Sequence, residues 1–209
     1  MGRRVCFLQE IVQNPKVILK YYKNPTEMWG IFLVDQIFPF CYNTCIETKK
    51  GFEMGTRSRI AVMHGSVAKS VYCHWDGYLE HNGAILQEHY DSSKANQLVA
   101  LGDLSSLRPE IGVKHPFSCL DPEAGSDYEE LYGNMCTFYD RDRGETECTW
   151  SVDHTFEDFL DRAKGCGAEF YYVMKDGTWY VGDTYGSTEL SNRLTPLTEA
   201  MQAVETVDQ

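Results

Sequence analysis

The sequence contains no GxxxxGK, GxGxxG, GxSxG or HExxH. A phosphate loop, a dinucleotide-binding turn, a nucleophile elbow and a zinc-protease helix are therefore not expected from motif evidence. Long apolar runs are also missing. The most apolar stretch, WGIFLVDQIFPFCY at 29–42, is interrupted by Asp35, Gln36 and Pro39 and falls short of the roughly 20 residues a spanning helix needs. No membrane span is expected. The opening MGRRVCFLQEIVQNPKVILKYY has no sustained apolar segment leading to a small-residue cleavage site, so export is not expected either.

Paired metal-ligand spacing is scarce. The closest approach is CYNTC at 41–45, and His74, His81 and His89 follow one another at intervals of seven and eight, neither of which matches a structural zinc pattern. No metal and no cofactor is expected. The eight cysteines, at 6, 41, 45, 73, 119, 136, 148 and 166, are scattered without the density of a disulfide scaffold and read as reduced thiols.

Positive charge is scarce over most of the chain. The formal net charge is −12, and it divides unevenly. Residues 1–53 hold seven Lys/Arg against five Asp/Glu, whereas residues 54–209 hold twelve against 26. A body of this charge repels phosphate backbones at long range. Direct nucleic-acid binding is not expected, and the partner class the charge favours is a protein with a basic surface.

What is present suffices for a globular core: 209 residues, 43% of them hydrophobic. The charge reversal and the segment TKKGFEMGTRSR set a boundary near Met54. Two readings of residues 1–53 stay open. They are a helical extension, or they lie upstream of a start at Met54, since KKG can be encoded by a purine run of the kind bacterial ribosomes recognise. Residues 54–209 read as a single domain.

Within it, SRIAVMH and SVYCHW alternate about a GSVAK turn and predict a hairpin. A helix is expected over Leu79–Tyr90 and another over SKANQLVAL. The Pro-, Gly- and acid-rich segment 103–134 predicts a long surface excursion. MCTFYDRD resumes strand alternation, with RGETECTW as its return. Thr155 caps a helix that ends at Gly165. AEFYYVMKDGTWYVGD is a hairpin about Asp176-Gly177, and TPLTEAMQAVETV is a last helix opening at Thr195 and Pro196. Hairpins with helices between them imply an α+β fold: an antiparallel sheet with helices packed on one face.

The stretch SVYCHWDGYLEHNG, residues 70–83, carries the densest chemistry. On an extended strand Tyr72, His74 and Asp76 share one face while Cys73 and Trp75 share the other. His74 with Asp76 suits acid–base work or a hydrogen bond at a strand end; Cys73 and Trp75 are expected in the core. In YDRDRGE, Arg141 and Arg143 share a strand face and suit an anion, or an internal network with neighbouring acids. Tyr72, His74, Asp76, Arg141 and Arg143 are thus the candidate ligand-binding residues.

The order of SRIAV, SVYCHWDGYLEHNGAILQEHY, ALGDLSSLRPEIG, FYDRDRGE, FLDRA and the aromatic hairpin resembles a set of small proteins carried by tailed bacteriophages and mobile elements, over about residues 56–182. The resemblance implies a setting and no activity. Its members begin just before the SRIAV-like strand, so residues 1–53 depart from the pattern. Two functions follow as expectations. One is a non-enzymatic accessory protein in the host cytoplasm that binds and modulates a host protein, counter-defence being one such role. The other is a binder or hydrolase of a small phosphorylated ligand. Convergence of the five candidate side chains would favour the second, and dispersal the first.

Overall fold

The computed structural model describes residues 55–186 and 193–207; the expectations for residues 1–53 lie outside the described residues. The chain opens with β1 (Ser58–His64) and β2 (Val67–Cys73), an antiparallel hairpin turning at Gly65. A π-helical turn (Leu79–Gly83) runs into α1 (Ala84–His89), and α2 (Ser92–Ala100) follows, capped by the Asp91 carboxylate on the Lys94 N–H. Next come β3 (Leu104–Ser106), α3 (Tyr128–Tyr132), β4 (Thr137–Phe138) and α4 (Tyr139–Arg143). They are followed by β5 (Ser151–Asp153), α5 (Phe156–Gly165), β6 (Phe170–Lys175), β7 (Thr178–Asp183), β8 (Thr195–Pro196) and α6 (Leu197–Val207).

The fold is α+β, and its mostly antiparallel sheet has the strand order β4-β3-β2-β1-β6-β7-β8, with β5 added to β2. Two pairings are parallel: β1 with β6, and β2 with β3. The hairpin between β6 and β7 turns as its sequence requires, because Asp176 and Gly177 both have positive φ, 49° and 81°.

Strand alternation sorts the core into two layers. Ile60, Val62, Val71, Cys73, Tyr172, Met174, Trp179 and Val181 face one side, where α1, α2 and α6 supply Leu86, Leu98, Val99 and Leu197. Ala61, Met63, Ala68, Tyr171 and Val173 face the other, against Phe159 and Leu160 of α5. Helices therefore cover both faces, not one. The small side chains of Ala61 and Ala68 leave room for α5, whose Thr155 hydroxyl accepts the Asp158 N–H at its start. On β1 and β2 this second layer is apolar over Ala61, Met63 and Ala68. Ser70 lies opposite Ala61, and one pair further along come Arg59 and Tyr72, where Arg59 meets Cys166 at the C-terminal cap of α5.

Three local expectations are corrected. Residues 139–143 are helical, not extended, and Gly144 closes the turn at φ 79° with its N–H on the Asp140 carbonyl. The strand that returns is β5, and it pairs with β2. The last helix begins at Leu197, because Thr195 and Pro196 are occupied in pairing with β7. The 103–134 excursion is also anchored: Leu107 and His115 are buried, and Tyr90 Oη donates to the Arg108 carbonyl at 2.7 Å.

Candidate functional site

β2 ends at Cys73, which lies opposite Ser58, the first residue of β1. The chain then continues along β3, with His74 N–H on the Leu104 carbonyl and Trp75 N–H on the Ser105 carbonyl, both at 3.1 Å. Trp75 has thus run past the end of β1. The core position expected for it is not realised: its side chain is 38% exposed, resting on Gly55 and edge-on to the His74 ring. Cys73 does enter the core, where burial pushes its thiol up to about 12, so it is no nucleophile at neutral pH.

Asp76 takes the left-handed conformation at φ 57°, which ends the alternation and turns its carboxylate away from His74. It lies 3.9 Å from His81 Nε2 instead. The turn is pinned by Asn82, whose buried amide donates to Ser58 Oγ, Cys73 Sγ and the Trp75 carbonyl. Gly77 presses on the backbone of Arg57, where an added Cβ would come within 2.6 Å of the carbonyl carbon.

Tyr72 and His74 do stay together, with Tyr72 Oη 2.8 Å from His74 Nδ1. Burial raises the Tyr72 hydroxyl well above its ordinary range. Burial, helped by the Arg57 guanidinium, lowers His74 below its ordinary value. At neutral pH both groups are therefore uncharged, and a phenol that donates to Nδ1 leaves the imidazole proton on Nε2 as a further donor. Asp103 fixes the Tyr72 backbone by accepting its N–H at 2.7 Å.

The neighbours of this pair on the sheet face are two arginines. Arg59, directly opposite Tyr72, is only 4% exposed. Its Nε donates to Ser70 Oγ at 2.9 Å, and Nη1 lies 3.8 Å from Cys166 Sγ. Arg57 is held through its carbonyl, which accepts the Glu169 and Phe170 N–H groups, and its guanidinium lies beside Gly167. Among the described residues neither guanidinium forms an ion pair with a carboxylate. Arg59 still helps to draw down the Asp103 carboxyl, whose burial raises it. Tyr72, His74, Arg57 and Arg59 thus form a recess lined by donors at the C-terminal cap of α5, where Cys166 meets the Arg59 guanidinium.

Arg141 and Arg143 lie elsewhere, on α4. Arg141 forks onto Asp142 and donates to the carbonyls of Ile111, Gly112 and Cys136. Asp142 also accepts the backbone N–H groups of His115 and Phe138, and its side chain is fully buried. This network fastens the 103–134 excursion to β4. Arg143 pairs with Glu145 at 2.9 Å and lies over Phe117. The five residues nominated from sequence are therefore distributed over four settings, and only Tyr72 and His74 are in contact. Arg57 and Arg59 were not nominated, although a signal existed: in TRSRIAV they alternate out of phase with Ile60 and Val62, on the same hairpin face as Tyr72.

Among the described residues no group of three His, Cys, Asp or Glu side chains is placed to hold a metal ion, and no helix is long and apolar enough to cross a membrane. No protein-family model matches the chain, and no significant match to a curated protein or a solved structure was found.

Proposed function

We propose that this domain binds a small oxyanion-bearing ligand, phosphoryl or carboxyl, in the recess of Arg57, Arg59, Tyr72 and His74. The observation that carries this reading is the buried Arg59 guanidinium, which among the described residues has no carboxylate within ion-pair distance, in a chain of net charge −12. Asp103 acts on it only from beyond contact, and removing a guanidinium from water without a counter-charge in contact is costly. A bound oxyanion would supply that charge through bidentate contacts. The reading is of binding, since the buried Cys73 thiol is unsuited to attack. Titration with inorganic phosphate, followed by the His74 ring resonances, tests it. Saturable shifts that weaken at least ~10-fold in Arg57→Gln are expected for a charge-assisted contact. Unchanged resonances, or equal affinity in the variant, would exclude it.

A second reading makes no use of the recess: a bacteriophage accessory protein that binds and modulates a basic host protein in the host cytoplasm. Its support is the set of exposed acids on α3 and α5, Glu129, Glu130, Glu157, Asp158 and Asp161, none of which has an ion-pair partner among the described residues. Salt-sensitive binding of a polylysine peptide, lost when Glu157, Asp158 and Asp161 become lysine and kept in Arg57→Gln, is expected from it. Binding insensitive to the three lysines would exclude this surface.

A further inference from the structure

We propose that the ligand is a phosphorylated nucleoside, with its phosphoryl group between Arg57 and Arg59 and its base on Trp75. This rests on the reading of the recess as an oxyanion site and adds the identity of what the oxyanion is attached to.

The recess has a rim of unusual composition. Trp75 follows His74 directly, and their rings meet edge to face with centroids 4.6 Å apart. Side chains of consecutive extended residues ordinarily diverge to opposite faces. The left-handed turn at Asp76 ends the strand here, and the indole stays beside the imidazole rather than entering the core. The described residues contain a second exposed tryptophan, Trp150, but there the ammonium of Lys69 covers the ring at 4.2 Å. Among the described residues no cation covers Trp75. An apolar ring left to solvent beside the imidazole, which in turn feels the Arg57 guanidinium and contacts Tyr72 opposite Arg59, suits a ligand that is anionic at one end and flat at the other.

Each part of a nucleotide then has a counterpart. The phosphoryl oxygens meet the guanidiniums, and His74 Nε2 donates alongside them. The base meets the indole, whose π-face accepts any base with little sequence preference. Inorganic phosphate and sugar phosphates satisfy only the first half. The acidic body repels a nucleic-acid strand at long range, so a free nucleotide is the occupant that fits.

The test uses the full chain with four probes: inorganic phosphate, ribose 5-phosphate, AMP and UMP. AMP is expected to bind about 5- to 100-fold more tightly than ribose 5-phosphate, the range set by one base–aromatic stack. AMP should also shift the Trp75 indole N–H resonance. In Trp75→Ala the affinity for AMP should fall to that for ribose 5-phosphate, while phosphate binding is unchanged. The indole shift in the unmodified protein keeps the test decisive if that variant folds poorly. Equal affinities for both nucleotides and ribose 5-phosphate, or an unmoved indole resonance, would overturn the nucleoside assignment and leave the oxyanion reading standing. Failure of all four probes to bind would overturn both.

Discussion

The carboxylate of Asp142 receives the guanidinium fork of Arg141, its immediate neighbour in the chain, at 2.8 and 2.9 Å. Because the same carboxylate holds two backbone N–H groups and is fully buried, removing it strands several donors together. Asp142→Ala should therefore cost about 3–5 kcal/mol, the usual penalty for breaking a buried pair from one side. Urea denaturation reads this directly. A loss below about 1 kcal/mol would mean that the network does not anchor the 103–134 excursion.

Trp179 and Trp75 should respond unequally to truncation. Trp179 is 4% exposed, and its indole N–H donates to the Tyr90 carbonyl at 2.7 Å. Trp179→Ala should cost about 3–5 kcal/mol, whereas Trp75→Ala, at the rim, should cost about 1 kcal/mol. Paired thermal and urea melts would show it; equal losses would place Trp75 in the core after all.

How far such assignments were legible in the sequence depended on the range of the interaction. The first and last hairpins, the Thr155 cap and the Asp176-Gly177 turn are encoded within a few residues, and all were readable. Trp75 was misassigned because alternation gives a side chain's face but not where the neighbouring strand stops, and β1 stops at Ser58. Residues 139–143 looked extended because the acceptor that folds them back, Asp142, acts on the N–H of Phe138 and on His115, which is 27 positions away. The second helical layer was missed because its signature is only two alanines, Ala61 and Ala68, set diagonally across a hairpin. The recess was half legible: Tyr72 and His74 were singled out, but their arginine neighbours came from the opposite strand and were passed over as polar alternation.

His74 should titrate below its ordinary 6.5, since burial and Arg57 both disfavour its charged form. The sign for stability follows by linkage. The unfolded chain takes up a proton near 6.5 before the folded one does, so stability is complete above that value and declines as pH falls below it, levelling off beneath the folded-state value. Ring-proton NMR reads the midpoint, and Arg57→Gln should move it upward. A midpoint at or above 6.5 in the unmodified protein would contradict the burial argument.

Gly77→Ala should disturb the recess without touching any of its side chains. The added carbon would press on the carbonyl of Arg57 at 2.8 Å, while the Gly77 carbonyl is held by the Tyr172 hydroxyl and its N–H by the Thr56 carbonyl. With both ends tethered the strain cannot relax locally, and a cost of about 1–3 kcal/mol is expected, as for overpacking. The phosphate-induced shifts of His74 should weaken in parallel. Unchanged stability together with unchanged shifts would show that the backbone there yields freely.

The parallel pairing of β1 with β6 also governs when the domain can fold. Ser58 lies opposite Phe170 and Met63 opposite Lys175, so the central seam of the sheet joins strands separated by most of the domain's chain. During synthesis the first hairpin must wait, one edge of β1 without its neighbour, until the aromatic hairpin has left the ribosome. Late closure of this kind raises contact order and slows folding, and a waiting strand edge invites pairing between nascent chains. The yield of folded protein should therefore depend more on the rate of translation and on chaperone supply than the modest size of the domain suggests.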